Sequence, residues 1–72
     1  MKKKRIEETK ALKRRVALVF EGPFAKEVAV AGTFNDWNCR RDFLRHCGSG
    51  WWSIIKYLTP GIYEYRFIVD GI

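Results

Sequence analysis

From Ile62 to Val69 the chain alternates without a break. Tyr63, Tyr65, Phe67 and Val69 fall on one side, and Ile62, Glu64, Arg66 and Ile68 on the other. A period of two is the mark of a strand with one face on a core. The aromatics are therefore expected inside, with Glu64 and Arg66 outside. No helical period follows residue 15. Val16–Phe20 is a β-branched and aromatic run closed by Glu21-Gly22-Pro23, and Glu27–Ala31 sets Val28 and Val30 on one face before Gly32. Asp42–His46 makes a short strand, Cys47-Gly48-Ser49-Gly50 a turn, and Trp51–Leu58 a long strand ending at Thr59-Pro60-Gly61. Short strands, each closed by turn residues, predict an all-β antiparallel β-sandwich. Trp51–Leu58 and Ile62–Val69, joined by the TPG turn, are expected to form its central hairpin. The register of Trp51–Leu58 stays open. With Trp52, Ile54 and Leu58 inward, Lys56 shares their face and must snorkel at the rim; the alternative turns Trp51, Ile55 and Tyr57 inward.

With 72 residues, the chain is one small domain, whose single core gives a net stability of only about 3–5 kcal/mol. Its 47% hydrophobic content is ample for such a core and argues against disorder of the whole chain. The net charge of +6 sits entirely in residues 1–15, which carry eight basic and two acidic side chains, while residues 16–72 are neutral. Residues 1–14 read as a basic tail, helical or disordered, and residues 15–72 as the globular domain. The tail is rich in helix formers but too poor in apolar residues for a buried stripe. A basic arm can bind phosphates nonspecifically; a solvated leader is the simpler reading of a charge run, so nucleic acid is not the expected partner. No apolar run approaches the roughly 18 residues that span a bilayer. The leading KKKR is not followed by an apolar signal segment, which predicts a cytoplasmic chain with no membrane partner.

Catalytic and metal chemistry find little to build on. Cys39, Cys47 and His46 would need a carboxylate such as Asp42 to complete a zinc set, and a cytoplasmic setting favours free thiols over a disulfide. The carboxylates Glu21, Glu27, Asp36, Asp42, Glu64 and Asp70 scatter over turns and outer faces, whereas glycoside hydrolysis needs a close pair in a deep site. No catalytic activity and no cofactor are expected. One segment is left unexplained by this: Ala31-Gly32-Thr33-Phe34-Asn35-Asp36-Trp37-Asn38 places a tryptophan among residues of exposed turns. Either Trp37 folds under the loop and fills the end of the sandwich, or it stays outside to touch a ligand. Phe34 is expected to anchor the loop, and Asn35 and Asp36 to shape its turn through side-chain hydrogen bonds. At least one of Trp51 and Trp52 must point inward.

Three segments together make a recognisable set: VAVAGTFNDWN at 28–38, WWSIIKYLTPG at 51–61 and YEYRFIVDG at 63–71. The chain resembles the glycogen-binding domain of AMP-activated protein kinase β subunits, and is similar to the related N-terminal modules of isoamylases and glycogen branching enzymes. The resemblance runs from about Arg15 to Gly71. It implies an early-set immunoglobulin-like sandwich that is noncatalytic and binds α-1,4-glucans such as glycogen or starch. It also implies that Trp37 stacks on a glucose ring, with Arg66 beside the same sugar path and Asn35 assisting. In the family a second stacking tryptophan follows the V-D-G segment by one or two residues, with the last strand beyond it; here Asp70-Gly71 is followed by Ile72. A sandwich lacking that strand would expose an edge, so a homo-oligomer or a partner strand at that edge is a second expectation.

Overall fold

The computed structural model describes residues 12–72; residues 1–11, and with them most of the reading of the basic tail, lie outside that range. Strands β1 (Arg14–Glu21), β2 (Val28–Gly32), β3 (Asp42–Phe43), β4 (Arg45–Gly48), β5 (Trp51–Leu58) and β6 (Tyr65–Val69) form two antiparallel sheets, with a short 3-10 turn at Thr33–Asn35. One sheet has the order β1-β5-β4 and the other β3-β2-β6. The expected all-β sandwich is thus present.

The alternation in each strand explains its place. Leu18 from β1, Val28 and Val30 from β2, Leu44, and Trp52 from β5 close the core between the sheets, with Val16, Phe20, Ile54 and Phe67 packed against them. Phe20 and Phe67, from opposite sheets, meet with ring centroids 5.0 Å apart. Val28 and Val30 are wholly buried, and removing each from water stabilises the fold by about 2 kcal/mol. Strand β2 is covered on both faces. Ala29 and Ala31 point away from the main core and are sealed by Ile68 on the outer side of their sheet. Ile68 does lie opposite Phe67, as its alternation predicts, yet it is buried rather than solvated.

The expected hairpin between Trp51–Leu58 and Ile62–Val69 does not form. Strand β5 pairs with β1 on one side, Leu18 opposite Ile54, and with β4 on the other. Strand β6 pairs instead with β2, Val30 opposite Phe67. Two-residue hairpin turns need positive φ, and none of Thr59, Pro60 and Gly61 has it. Residues 59–64 cross from one sheet to the other, which sets the apolar faces of β5 and β6 against each other across the core. Positive φ occurs instead at Gly48, Ser49 and Gly50, in the hairpin that joins β4 to β5. The register of β5 is the one that turns Trp52 inward, 7% exposed, and leaves Trp51 outside at 43%. Lys56 shares the inner face and is partnered at the rim, 3.0 Å from Asp42. The strand expected over Asp42–His46 is split: the chain changes sheet at Leu44, which is buried and donates its N–H to the Val28 carbonyl at 2.8 Å.

That sheet change closes one flank of the sandwich. On the opposite flank β1 and β6 are the outer strands of their sheets. Within the β3-β2-β6 sheet the chain is tightest at Gly32, opposite Tyr65 in the ladder, where a Cβ would stand 2.5 Å from the Glu64 carbonyl oxygen and 2.7 Å from the Tyr65 Cβ. The backbone there is extended, so sterics alone demand glycine. Gly32→Ala is expected to destabilise the domain by about 1–3 kcal/mol, the cost of overpacking. A denaturation midpoint equal to that of the parent chain would contradict this close approach.

Candidate functional site

The segment after β2 is organised by one buried amide. Asn35 is 4% exposed. Its Oδ1 accepts the Gly32 N–H at 3.0 Å, and its Nδ2 donates to the Val30 carbonyl at 3.0 Å and to Asp42 Oδ2 at 2.7 Å. Both donors and the acceptor are therefore used, as a buried amide requires. Lys56 Nζ from the facing sheet donates to the other Asp42 oxygen at 3.0 Å and lies 5.8 Å from the centroid of the Phe34 ring. Phe34 packs against the core, as an anchor should. Asn35 shapes the turn through side-chain hydrogen bonds, as expected, and does so as a buried hub inside the loop rather than as an open group beside the sugar path.

Beyond Asn35 the backbone turns sharply. Asp36 and Trp37 both adopt left-handed φ, 57° and 58°. This conformation costs a non-glycine residue on the order of 1 kcal/mol and persists only where neighbours enforce it. The Trp37 N–H donates to the Gly32 carbonyl at 2.9 Å and the Asn38 N–H to the Asn35 carbonyl at 3.1 Å. This geometry carries the Trp37 indole away from the core, and the residue remains 46% exposed.

Arg66 stands opposite Ala31 in the β2–β6 ladder, exposed on the outer face of that sheet. Trp37 and Arg66 line one shallow concavity of about 310 Å³, together with Ala31, Ile68, Cys39, Gly71 and Ile72. Two of the three residues expected at the site are thus brought together. Its base is apolar because Ala31 and Ile68 are there; the small-residue alternation VAVA was the sequence signal for that surface. Cys39 is a free, exposed thiol on the rim of the concavity. Among the described residues Arg66 makes no ion pair, so its guanidinium is available for hydrogen bonding.

Two of the six side-chain carboxylates in residues 16–72, Asp70 and Asp42, serve the fold. Asp70 accepts the backbone N–H groups of Lys26 and Glu27 at 2.7 and 2.9 Å, fixing the entry to β2, and Asp42 belongs to the Asn35–Lys56 network. What the concavity offers is a flat indole, a forked cation and an apolar base. That combination suits stacking and hydrogen bonding.

Residues 15–72 match the family described as "Glycogen recognition site of AMP-activated protein kinase". The chain belongs to this family. Its members are noncatalytic carbohydrate-binding modules. Relatives of this glycogen-recognition domain include the SNF1-related protein kinase regulatory subunit beta-2 of Arabidopsis thaliana, 48% identical over 46 residues, 64% of this chain and 15% of that protein. The Protein FLOURY ENDOSPERM 6, chloroplastic, of Oryza sativa subsp. japonica is 40% identical over 74 aligned positions, 99% of this chain and 14% of its own length. A 1,4-alpha-glucan branching enzyme GlgB of Rhodopseudomonas palustris (strain BisB5) is 39% identical over 56 residues, 78% of this chain and 8% of the enzyme. The chain therefore spans only a small part of each of these relatives. No solved structure matches it.

The network also carries a pH dependence. Burial works to raise the pKa of Asp42, but the Asn35 amide, the Lys56 hydrogen bond and charge, and the nearby Arg41 charge outweigh it and hold the carboxyl below its ordinary value of 3.8. A carboxylate depressed in the folded state contributes stability that is complete above its unfolded pKa and is lost as pH falls through the folded one. Asp42→Asn is expected to be less stable than the parent chain at neutral pH. The gap should close as pH drops below about 4. A gap that stays constant down to the acid transition, measured by urea unfolding, would contradict the assigned role of Asp42.

Proposed function

We propose that this domain holds an α-1,4-glucan such as glycogen or starch, with Trp37 as the platform for one glucose ring and Arg66 bonding to the hydroxyl edge of the sugar path. The observation that carries this reading is the half-exposed Trp37, kept in a left-handed turn beside Arg66 on one concave surface. The faces of a pyranose present C–H groups, and a flat indole packs on them with little rotamer entropy to lose. The hydroxyl edge calls for forked donors, which a guanidinium supplies. The family description names glycogen, and one relative is named for work on an α-glucan. Binding through one ring and a few hydrogen bonds leaves little surplus after ordering costs, so affinity is tens of micromolar or poorer on this account.

Trp37→Ala is expected to weaken maltoheptaose binding at least about tenfold, or ~1.4 kcal/mol. Arg66→Ala should cost about three- to tenfold, one charged hydrogen bond. Trp51→Ala, on the outer face of the other sheet, should leave affinity unchanged. Isothermal titration of the three variants checks this, and equal affinity in Trp37→Ala and the parent chain would contradict the proposed platform.

A second reading concerns the open flank. Strands β1 and β6 are each paired on one side only among the described residues. Between them runs a cleft of about 430 Å³ lined by Val16, Leu18, Phe34, Leu58, Tyr63 and Tyr65. A sheet edge beside apolar surface favours addition of a further strand, which in a purified sample a second copy would supply. Sedimentation should then show a concentration-dependent dimer. A monomer at every concentration would contradict self-association.

A further inference from the structure

The glucan site as described stops at the residues that line the concavity, yet the turn that presents Trp37 is tied to the facing sheet. Asp36 and Trp37 sit in consecutive left-handed conformations, each unfavourable for a side-chain-bearing residue. The loop contacts themselves supply two backbone hydrogen bonds, Trp37 to Gly32 and Asn38 to Asn35. Both run to the residues that Asn35 organises, since its Oδ1 holds the Gly32 N–H and its own carbonyl receives Asn38. Asn35 is in turn fixed by Asp42 from β3, and Asp42 by Lys56 from β5. The path from the facing sheet to the platform is therefore Lys56, Asp42, Asn35, then the left-handed pair.

We propose that Lys56 and Asp42 are positioning residues for Trp37: their ion pair across the two sheets holds the Asn35 hub, and the hub holds the strained turn that keeps the indole presented. Neither residue lines the concavity, so neither acts by touching the ligand. The side chain of Lys56 is 23% exposed and that of Asp42 13%, so the pair is shielded from the full screening that makes open surface pairs weak. Without the ammonium, Asp42 keeps Asn35 as its neighbour but loses its link to β5. The loop then samples conformations in which Asp36 and Trp37 relax out of the left-handed region. Apparent affinity scales with the fraction of molecules in the competent geometry. If that fraction falls to a fifth, glucan binding weakens about fivefold with every ligand-contacting side chain intact.

The consequence for affinity rests on the glucan reading above; the consequence for loop order does not, so the two are measured separately on the full 72-residue chain. Lys56→Met keeps the aliphatic stem and removes the charge, Asp42→Asn keeps the shape, and Lys56→Arg restores the ion pair. In sugar-free protein, amide order parameters at Asp36 and Trp37 are expected to fall from about 0.85 to below about 0.6 in Lys56→Met and Asp42→Asn, with β1 and β5 unchanged. Lys56→Arg should return them. Maltoheptaose affinity, read at a temperature where each variant is fully folded, should drop about fivefold in the first two and recover in the third. A folded Lys56→Met chain whose loop order and affinity both match the parent overturns the proposal. If Lys56→Met does not fold, Asp42→Asn decides by the same two readouts. Loosening at Trp37 in a set of chains none of which binds sugar, the parent included, upholds the positioning role and removes the glucan reading instead.

Discussion

The hydrogen bonds of Asn35 govern the geometry of the candidate site. An amide taken out of water costs several kcal/mol unless its polar atoms are paired, and here each one is, through Gly32, Val30 and Asp42. Those partners belong to the end of β2, the start of the loop and β3. Satisfying one side chain therefore fixes where the chain leaves one strand and where it enters the next. Lys56 extends the same network to the second sheet. The exposed tryptophan follows directly on that buried arrangement: the left-handed turn after Asn35 carries the indole away from the core.

Strand β2 does comparable work on the other side of the site. Its valines face the core between the sheets and its alanines face outward. Two small side chains under Ile68 leave a low apolar surface beside Arg66, where bulkier residues would have filled the concavity. The same five residues thus supply the centre of the hydrophobic core and part of the base of a binding surface. The close approach at Gly32 completes the geometry, since the loop can start only where β2 and the segment before β6 nearly touch.

Face was legible in the sequence, and partnership was not. The alternation of Val28 and Val30, and of Phe67 against Arg66, encodes which side of a strand meets the core, because the period of two is a property of the single strand. It holds no information about the neighbour in the ladder, and so β5 and β6 were expected side by side although they lie in different sheets. The turn at 59–61 carried Pro and Gly without the left-handed backbone a tight hairpin needs, which only the fold reveals. Trp37 and Arg66 stood out as candidates through the resemblance of their segments to a family motif, and the fold sets both on one concavity. Asn35 carried two expectations, shaping the turn and assisting at the sugar. An amide serves a hydroxyl-rich ligand and a buried hub equally well, and burial alone separates the two. The Lys56–Asp42 pair joins positions far apart in sequence; the lysine looked only like a poor fit on an apolar strand face.

The central claim is that Trp37, rather than any other exposed aromatic residue, meets the glucan. Intermolecular nuclear Overhauser effects between the ring C–H protons of maltoheptaose and the three indole rings of the chain test it most directly. The account predicts cross-peaks from the sugar to the Trp37 indole and to the Ile68 methyl groups beneath it. Cross-peaks to Trp51 with none to Trp37 would place the sugar on the outer face of the other sheet and contradict the account.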